Sequence, residues 1–116
     1  MNEIHQNYTT GNTLYFCSFK NDGNVQLTGG ATDEVWGTGG RDADDYNETM
    51  TEDGVGGHYV GSFITSGGAG VYQVAVYLQS GANPANTDTA LSQGEIYWDG
   101  QKEVNTLTEL ESWFKN

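Results

Sequence analysis

The sequence predicts an all-β protein: an antiparallel β-sandwich of about seven to eight short strands, followed by a short C-terminal amphipathic helix. Three observations point there. Aromatic and β-branched residues alternate with polar ones over short segments. Turn-forming pairs such as Asp22-Gly23 and Asp99-Gly100 recur at intervals of roughly ten residues, as all-β folds require. No helical periodicity separates one strand from the next, which argues against a parallel α/β arrangement.

Residues 1–12 are polar and without periodicity, and read as a flexible arm. Thr13 to Phe19 is a strand with Tyr15, Cys17 and Phe19 on one face and Leu14 and Phe16 on the other, so both faces are expected to be covered. Asp22-Gly23 turns the chain into Val25–Leu27. Asp33 to Trp36 reads as another short strand, and 37–45 as the least structured part of the interior. Tyr46 to Glu52 alternates weakly, as an edge strand would. His58 to Ile64 and Val71 to Leu78 are the best strands, the second placing Tyr72, Val74, Val76 and Leu78 inward and Gln73, Ala75 and Tyr77 outward. A polar loop from Gln79 to Ser92 carries the only proline, Pro84, and Gly94 to Trp98 follows with Ile96 and Trp98 inward. The sandwich thus spans 13–104. In 105–116, Thr106 and Glu109 fit a capping box, and Leu107, Leu110, Trp113 and Phe114 recur at helical spacing. So short a helix is marginal in water by itself, so these four residues are expected to pack on the sandwich or on another chain.

Composition narrows the function. Sixteen acidic residues against four basic ones give a net charge of −12 in 116 residues. Phosphate affinity rests on Lys and Arg, so nucleic acid and anionic membranes are not expected partners. A lone Cys17 forms no internal disulfide and no CxxC pair, and its alternation with Tyr15 and Phe19 makes it a core thiol. The N-terminal residues have neither the basic start nor the apolar run of a signal peptide. The fourteen aromatic residues, set mostly in alternating segments, argue against disorder.

One stretch carries a resemblance. Gly57-His58-Tyr59-Val60-Gly61-Ser62-Phe63, Ala69-Gly70-Val71-Tyr72, Val76-Tyr77-Leu78-Gln79-Ser80-Gly81-Ala82-Asn83-Pro84-Ala85, Asp88-Thr89 and Gly94-Glu95-Ile96-Tyr97-Trp98-Asp99-Gly100 together resemble a module of tailed-phage and prophage structural proteins. Val35-Trp36 is similar to a Val-Trp in the same modules. The resemblance spans roughly 13–104, with its specific part at 57–100. It implies an immunoglobulin-like sandwich in a non-enzymatic virion component, such as a capsid decoration, head-fibre or tail accessory protein. Such a protein would be made in the host cytoplasm and would work as a homo-oligomer or within the virion. The Asp-rich stretch after Trp36 and the terminal helix depart from that pattern.

Two other chemistries deserve weighing. Asp42, Asp44 and Asp45, with Asn47 and Glu48 nearby, supply oxygen ligands at alternating positions, as Ca²⁺ prefers. The spacing departs from an EF-hand, and a solvated acidic loop is the competing reading; no other cofactor is implied. Trp36, Tyr77 and Tyr97 form the second candidate, as rings of a carbohydrate- or surface-binding platform. Its competing reading is that a loop or the terminal helix covers that face. The two histidines, His5 and His58, are too far apart in sequence to suggest a site. No arrangement of carboxylates, histidines or glycine-rich loops points to catalysis.

Overall fold

The computed structural model describes residues 3–104. The expected helix with Leu107, Leu110, Trp113 and Phe114 lies outside the described residues. Within them the chain is mostly β, in two antiparallel sheets. The strands are β1 (Glu3–Asn7), β2 (Thr13–Lys20), β3 (Val25–Gln26), β4 (Asp33–Glu34), β5 (Glu48–Thr49), β6 (Thr51–Glu52), β7 (His58–Ser62), β8 (Gly70–Gln79), β9 (Thr89–Trp98) and β10 (Glu103–Val104). One short helix, α1 (Ala43–Tyr46), lies between β4 and β5.

The small sheet has the order β1-β7-β6, and the large one β10-β9-β8-β2-β3-β4. Strand β5 pairs with β2 through Tyr15↔Thr49 and Phe16↔Glu48, along the same edge that β3 uses at Phe19↔Val25. The long hairpin β8–β9 shifts its register by one residue between Val76 and Tyr77, where Val76 faces Ser92 and Tyr77 faces Ala90. These ladders are what the alternating apolar segments specify, because a slip of one residue would turn each strand's core face to water.

Two cores sit on opposite faces of the large sheet. Between the sheets, Leu14 and Phe16 from β2, Tyr72, Val74 and Val76 from β8, and Ile96 and Trp98 from β9 meet Ile4 and Tyr59 of the small sheet, with Met50 and Phe63. This is the sandwich-like part. On the outer face, Tyr15, Cys17 and Val25 are covered by Ala43 and Tyr46 of α1, with Phe19, Leu27, Trp36 and Tyr77 around them. Strand β2 is therefore buried on both sides, as its sequence indicates.

Gly61 sets how closely the sheets approach. A Cβ there would stand 2.7 Å from Phe16 Cε1 and 3.0 Å from Met50 Cγ. A larger residue at this position would push β7 away from β2.

Several expectations are corrected. Residues 3–7, read as part of a flexible arm, form β1, paired from Glu3↔Ser62 to Asn7↔His58. Ile4 is buried in the inter-sheet core, and a single apolar residue among polar ones leaves no periodic signal. The strand expected from Asp33 to Trp36 stops at Glu34, since Gly37 takes φ 88° and redirects the chain. The strand expected from Tyr46 to Glu52 loses Tyr46 to α1 and divides into β5 and β6 around the buried Met50. The loop expected to run to Ser92 ends earlier, because β9 begins at Thr89.

Candidate functional site

The stretch read as a possible calcium loop folds around itself. Asp42 caps α1, its carboxylate accepting from the Asp44 amide at 3.1 Å, while Asp45 Oδ2 accepts from the Asp42 amide at 3.1 Å. This reciprocal arrangement satisfies amides that a helix start leaves unpaired. Asp44 and Asp45 also lie in the first turn, where negative charge is favoured. Asp42, Asp44 and Asp45 thus occupy helix-starting positions. Among the described residues, no group of three or more His, Cys, Asp or Glu is placed to hold a metal ion.

The neighbouring Glu34 is the centre of a tighter network. Arg41 donates through Nε and Nη2 to its two oxygens at 2.6 and 2.7 Å, the forked geometry that guanidinium and carboxylate share. The Tyr46 hydroxyl donates to Glu34 Oε2 at 2.7 Å and accepts from the Gly37 amide at 3.0 Å. Arg41 holds the Glu34 carboxyl below its ordinary range. Burial first, and then Glu34, push the Tyr46 phenol up. The network ties β4, the turn after it and α1 into one cover over the outer core.

The three rings proposed as a platform do not meet. Trp36 packs on Phe19, with ring centres 5.9 Å apart and planes 17° from parallel, and on Tyr46 at 4.6 Å. Tyr77 stacks on Tyr15 at 5.4 Å and belongs to the rim of the outer core. Tyr97 stands on β9 opposite Val71, six residues along β8 from Tyr77, or about 20 Å at strand rise. Its hydroxyl reaches Glu95 Oε1 at 3.3 Å. Period-two alternation placed Tyr77 and Tyr97 on the outer face correctly. It gave no sign that α1 and its flanking turns cover one end of that face.

Three further carboxylates brace turns. Glu52 accepts from the Thr10 hydroxyl and from the amides of Gly11 and Gly57 at 3.0 and 2.9 Å. Asp88 accepts from Ser80, the Ala85 amide and Tyr15. Asp99 accepts from the Gln101 and Lys102 amides, both at 2.8 Å. Cys17 is fully buried, and its thiol is pushed up to about 12 by burial and then by the Glu48 charge. It is a packing residue, as its alternation with two aromatics indicated.

Two features escaped the sequence reading. The pairing of β1 with β7 brings the chain's two histidines together, His5 Nδ1 lying 2.9 Å from His58 Nε2. His58 Nδ1 is 2.9 Å from Asn7 Oδ1. The 53 residues separating the histidines hide this; only the register of a strand that was not expected reveals it. The second is a groove of about 220 Å³ at the side of the sandwich. It is lined by the apolar Ile4, Val74, Val76 and Ile96 and by polar residues, among them His5 and Glu103.

No protein-family model matches this chain, and no match was found among curated proteins or solved structures.

Proposed function

We propose that this protein is a non-enzymatic assembly component that works through protein–protein contacts. In this reading it is an immunoglobulin-like module of a tailed-phage virion, a capsid decoration, head-fibre or tail accessory protein, as the resemblance of residues 57–100 implies. It would be made in the host cytoplasm and take its place in the virion.

The observation that carries the proposal is the groove beside β10. The described residues end at Val104, and its neighbour Glu103 lines this groove together with Ile4, Val74, Val76 and Ile96. The sequence that follows is the amphipathic stretch with Leu107, Leu110, Trp113 and Phe114. The Leu107, Leu110, Trp113 and Phe114 side chains of a neighbouring copy would cover the apolar part of this lining. Further support comes from the carboxylates of Asp42, Glu52, Asp88 and Asp99, which serve as turn and helix braces. That use of acidic side chains suits a rigid body better than a reaction centre.

Light scattering behind a sizing column tests the proposal on the full chain. The expected mass is a defined multiple of one chain, falling towards a single chain in the Leu110→Ser/Trp113→Ser variant. A single-chain mass for the wild type at every concentration tried would overturn self-assembly through this contact.

A further inference from the structure

The chain's only two histidines, His5 on β1 and His58 on β7, face each other on the outer surface of the small sheet. His5 stands opposite Val60 and Asn7 opposite His58, on the face that also carries Ser62 and Thr51. The two ring centres are 5.1 Å apart, with planes inclined by 38°. This is a meeting of nitrogen donors from two strands held in fixed register.

We propose that His5 and His58 form a binding site for a borderline divalent transition metal, Zn²⁺ or its neighbours Ni²⁺ and Cu²⁺, held between His5 Nδ1 and His58 Nε2. The ring placement is compatible with such an ion. Two imidazoles on a tetrahedral zinc at about 2.0–2.1 Å put their nitrogens about 3.3 Å apart and their ring centres about 5.2 Å apart. The centres already have that separation, and a turn of roughly 35° by each ring aims the two lone pairs at a shared tetrahedral ion.

Asn7 prepares the site. With its side-chain oxygen 2.9 Å from His58 Nδ1, it takes the proton-bearing side of that ring. The Nε2 lone pair is then left pointing at His5. A ligating imidazole whose other nitrogen donates to an oxygen is the usual supporting arrangement at metal sites. Without metal, the two facing nitrogens share one hydrogen bond at 2.9 Å. When the ion enters, the hydrogen between the rings is released, as metal binding to imidazole requires, and both facing nitrogens become donors to the metal. Water completes the coordination.

The chemistry also selects the ion. Imidazole favours borderline metals, whereas Mg²⁺ and Ca²⁺ go to carboxylate oxygens. The net charge of −12 raises the local concentration of any cation but does not discriminate among them.

Calorimetric titration of the full chain with Zn²⁺, in a background of millimolar Mg²⁺ to occupy carboxylates, is the test. One ion per chain is expected. His5→Gln and His58→Gln should each abolish uptake, and Asn7→Ala should weaken it by about 10-fold or more. The substituted positions lie on the outer face, and far-UV circular dichroism checks that each variant folds. In the wild type, substoichiometric Cu²⁺ should broaden NMR signals around His5, His58 and Val60. No Zn²⁺ uptake by the wild type, uptake unchanged in His58→Gln, or broadening centred on Asp42–Asp45 would each overturn the proposal.

Discussion

The Tyr15 hydroxyl donates to Asp88 Oδ2 at 2.7 Å, joining an inner strand of the large sheet to a loop 73 residues further along the chain. The same carboxylate accepts from the Ala85 amide at 2.9 Å and from the Ser80 hydroxyl at 3.1 Å. The β8–β9 connection is therefore closed on itself by Asp88 and fixed to the sheet by Tyr15. Burial, and then Asp88, push the Tyr15 phenol upward. Burial works against the Asp88 charge, but its donors outweigh that and hold the carboxyl below its ordinary range.

Removing that hydroxyl should show directly. Tyr15→Phe keeps the ring stacked on Tyr77 and is expected to cost about 1.5–3 kcal/mol in urea denaturation, the scale of a hydrogen bond to a charged group. Asp88→Asn should couple to it in a double-mutant cycle. Strictly additive losses would mean that the two groups do not act on each other.

The pH dependence follows from the carboxylates. Asp33, held low by the Asn24 amide and then Lys20, Glu34 by Arg41, Glu52 by Thr10, and Asp99 by the Lys102 amide all lie below their ordinary range, as does Asp88. A folded-state pKa below the unfolded one means that the unfolded chain binds more protons on acidification. Their contribution is full above the unfolded range of about 4 and is lost as pH falls through the folded values. Thermal midpoints should stay level from pH 8 to 6 and fall steeply below about pH 4. A midpoint that rises as pH falls below about 4 would contradict these assignments.

Glu48 has the opposite sign. Burial raises it, although its Oε2 accepts from the Gly29 amide at 2.8 Å. Its contribution is present while it is protonated and is lost as pH rises through the folded value. Glu48→Gln keeps an acceptor for Gly29 and removes the buried charge, so its melting temperature should exceed that of the wild type at pH 7. The difference should close at pH 3. A lower midpoint at pH 7 would show that Gly29 needs the charged acceptor.

How far the fold could be read depends on what each segment shows by itself. Strands β2, β8 and β9 carry runs of alternating apolar residues, so their existence and inward faces were legible. Strand β1 has only Ile4 to place inward, and its partner supplies the rest of its order. Helix α1 was missed because its capping box closes with Asp45, where the familiar signal is Glu or Gln. With α1 unseen, Trp36 and Tyr77 looked available to a ligand, although Tyr46 packs at a tilt on the first and Tyr15 stacks on the second. The histidine pair needed the β1–β7 register, which no local pattern encodes.

Gly61 offers a test of the inter-sheet spacing. With 2.7 Å to Phe16 Cε1, an added Cβ forces the small sheet outward or Phe16 off its rotamer. Gly61→Ala should cost about 1–3 kcal/mol, the range for overfilling a packed core. Gly94→Ala, where nothing lies within 4 Å, should change stability by no more than about 0.5 kcal/mol. Equal effects at the two positions would mean that the loss reflects strand glycines in general.

Cys17 reports on the cover over the outer core. It is fully buried, and its thiol is pushed up to about 12, so labelling at pH 8 requires an opening that both exposes and ionises it. The nearest structure to open is the cap of Trp36, Ala43 and Tyr46, held by the fork from Arg41 to Glu34. Arg41→Ala releases that fork, and labelling of Cys17 by a disulfide reagent should become several-fold faster while the far-UV spectrum is retained. Arg41→Lys keeps the charge but not the two-pronged contact, and should fall between the two. A labelling rate that follows only the global unfolding constant in all three chains would mean that the cap opens with the sheet, as one cooperative unit.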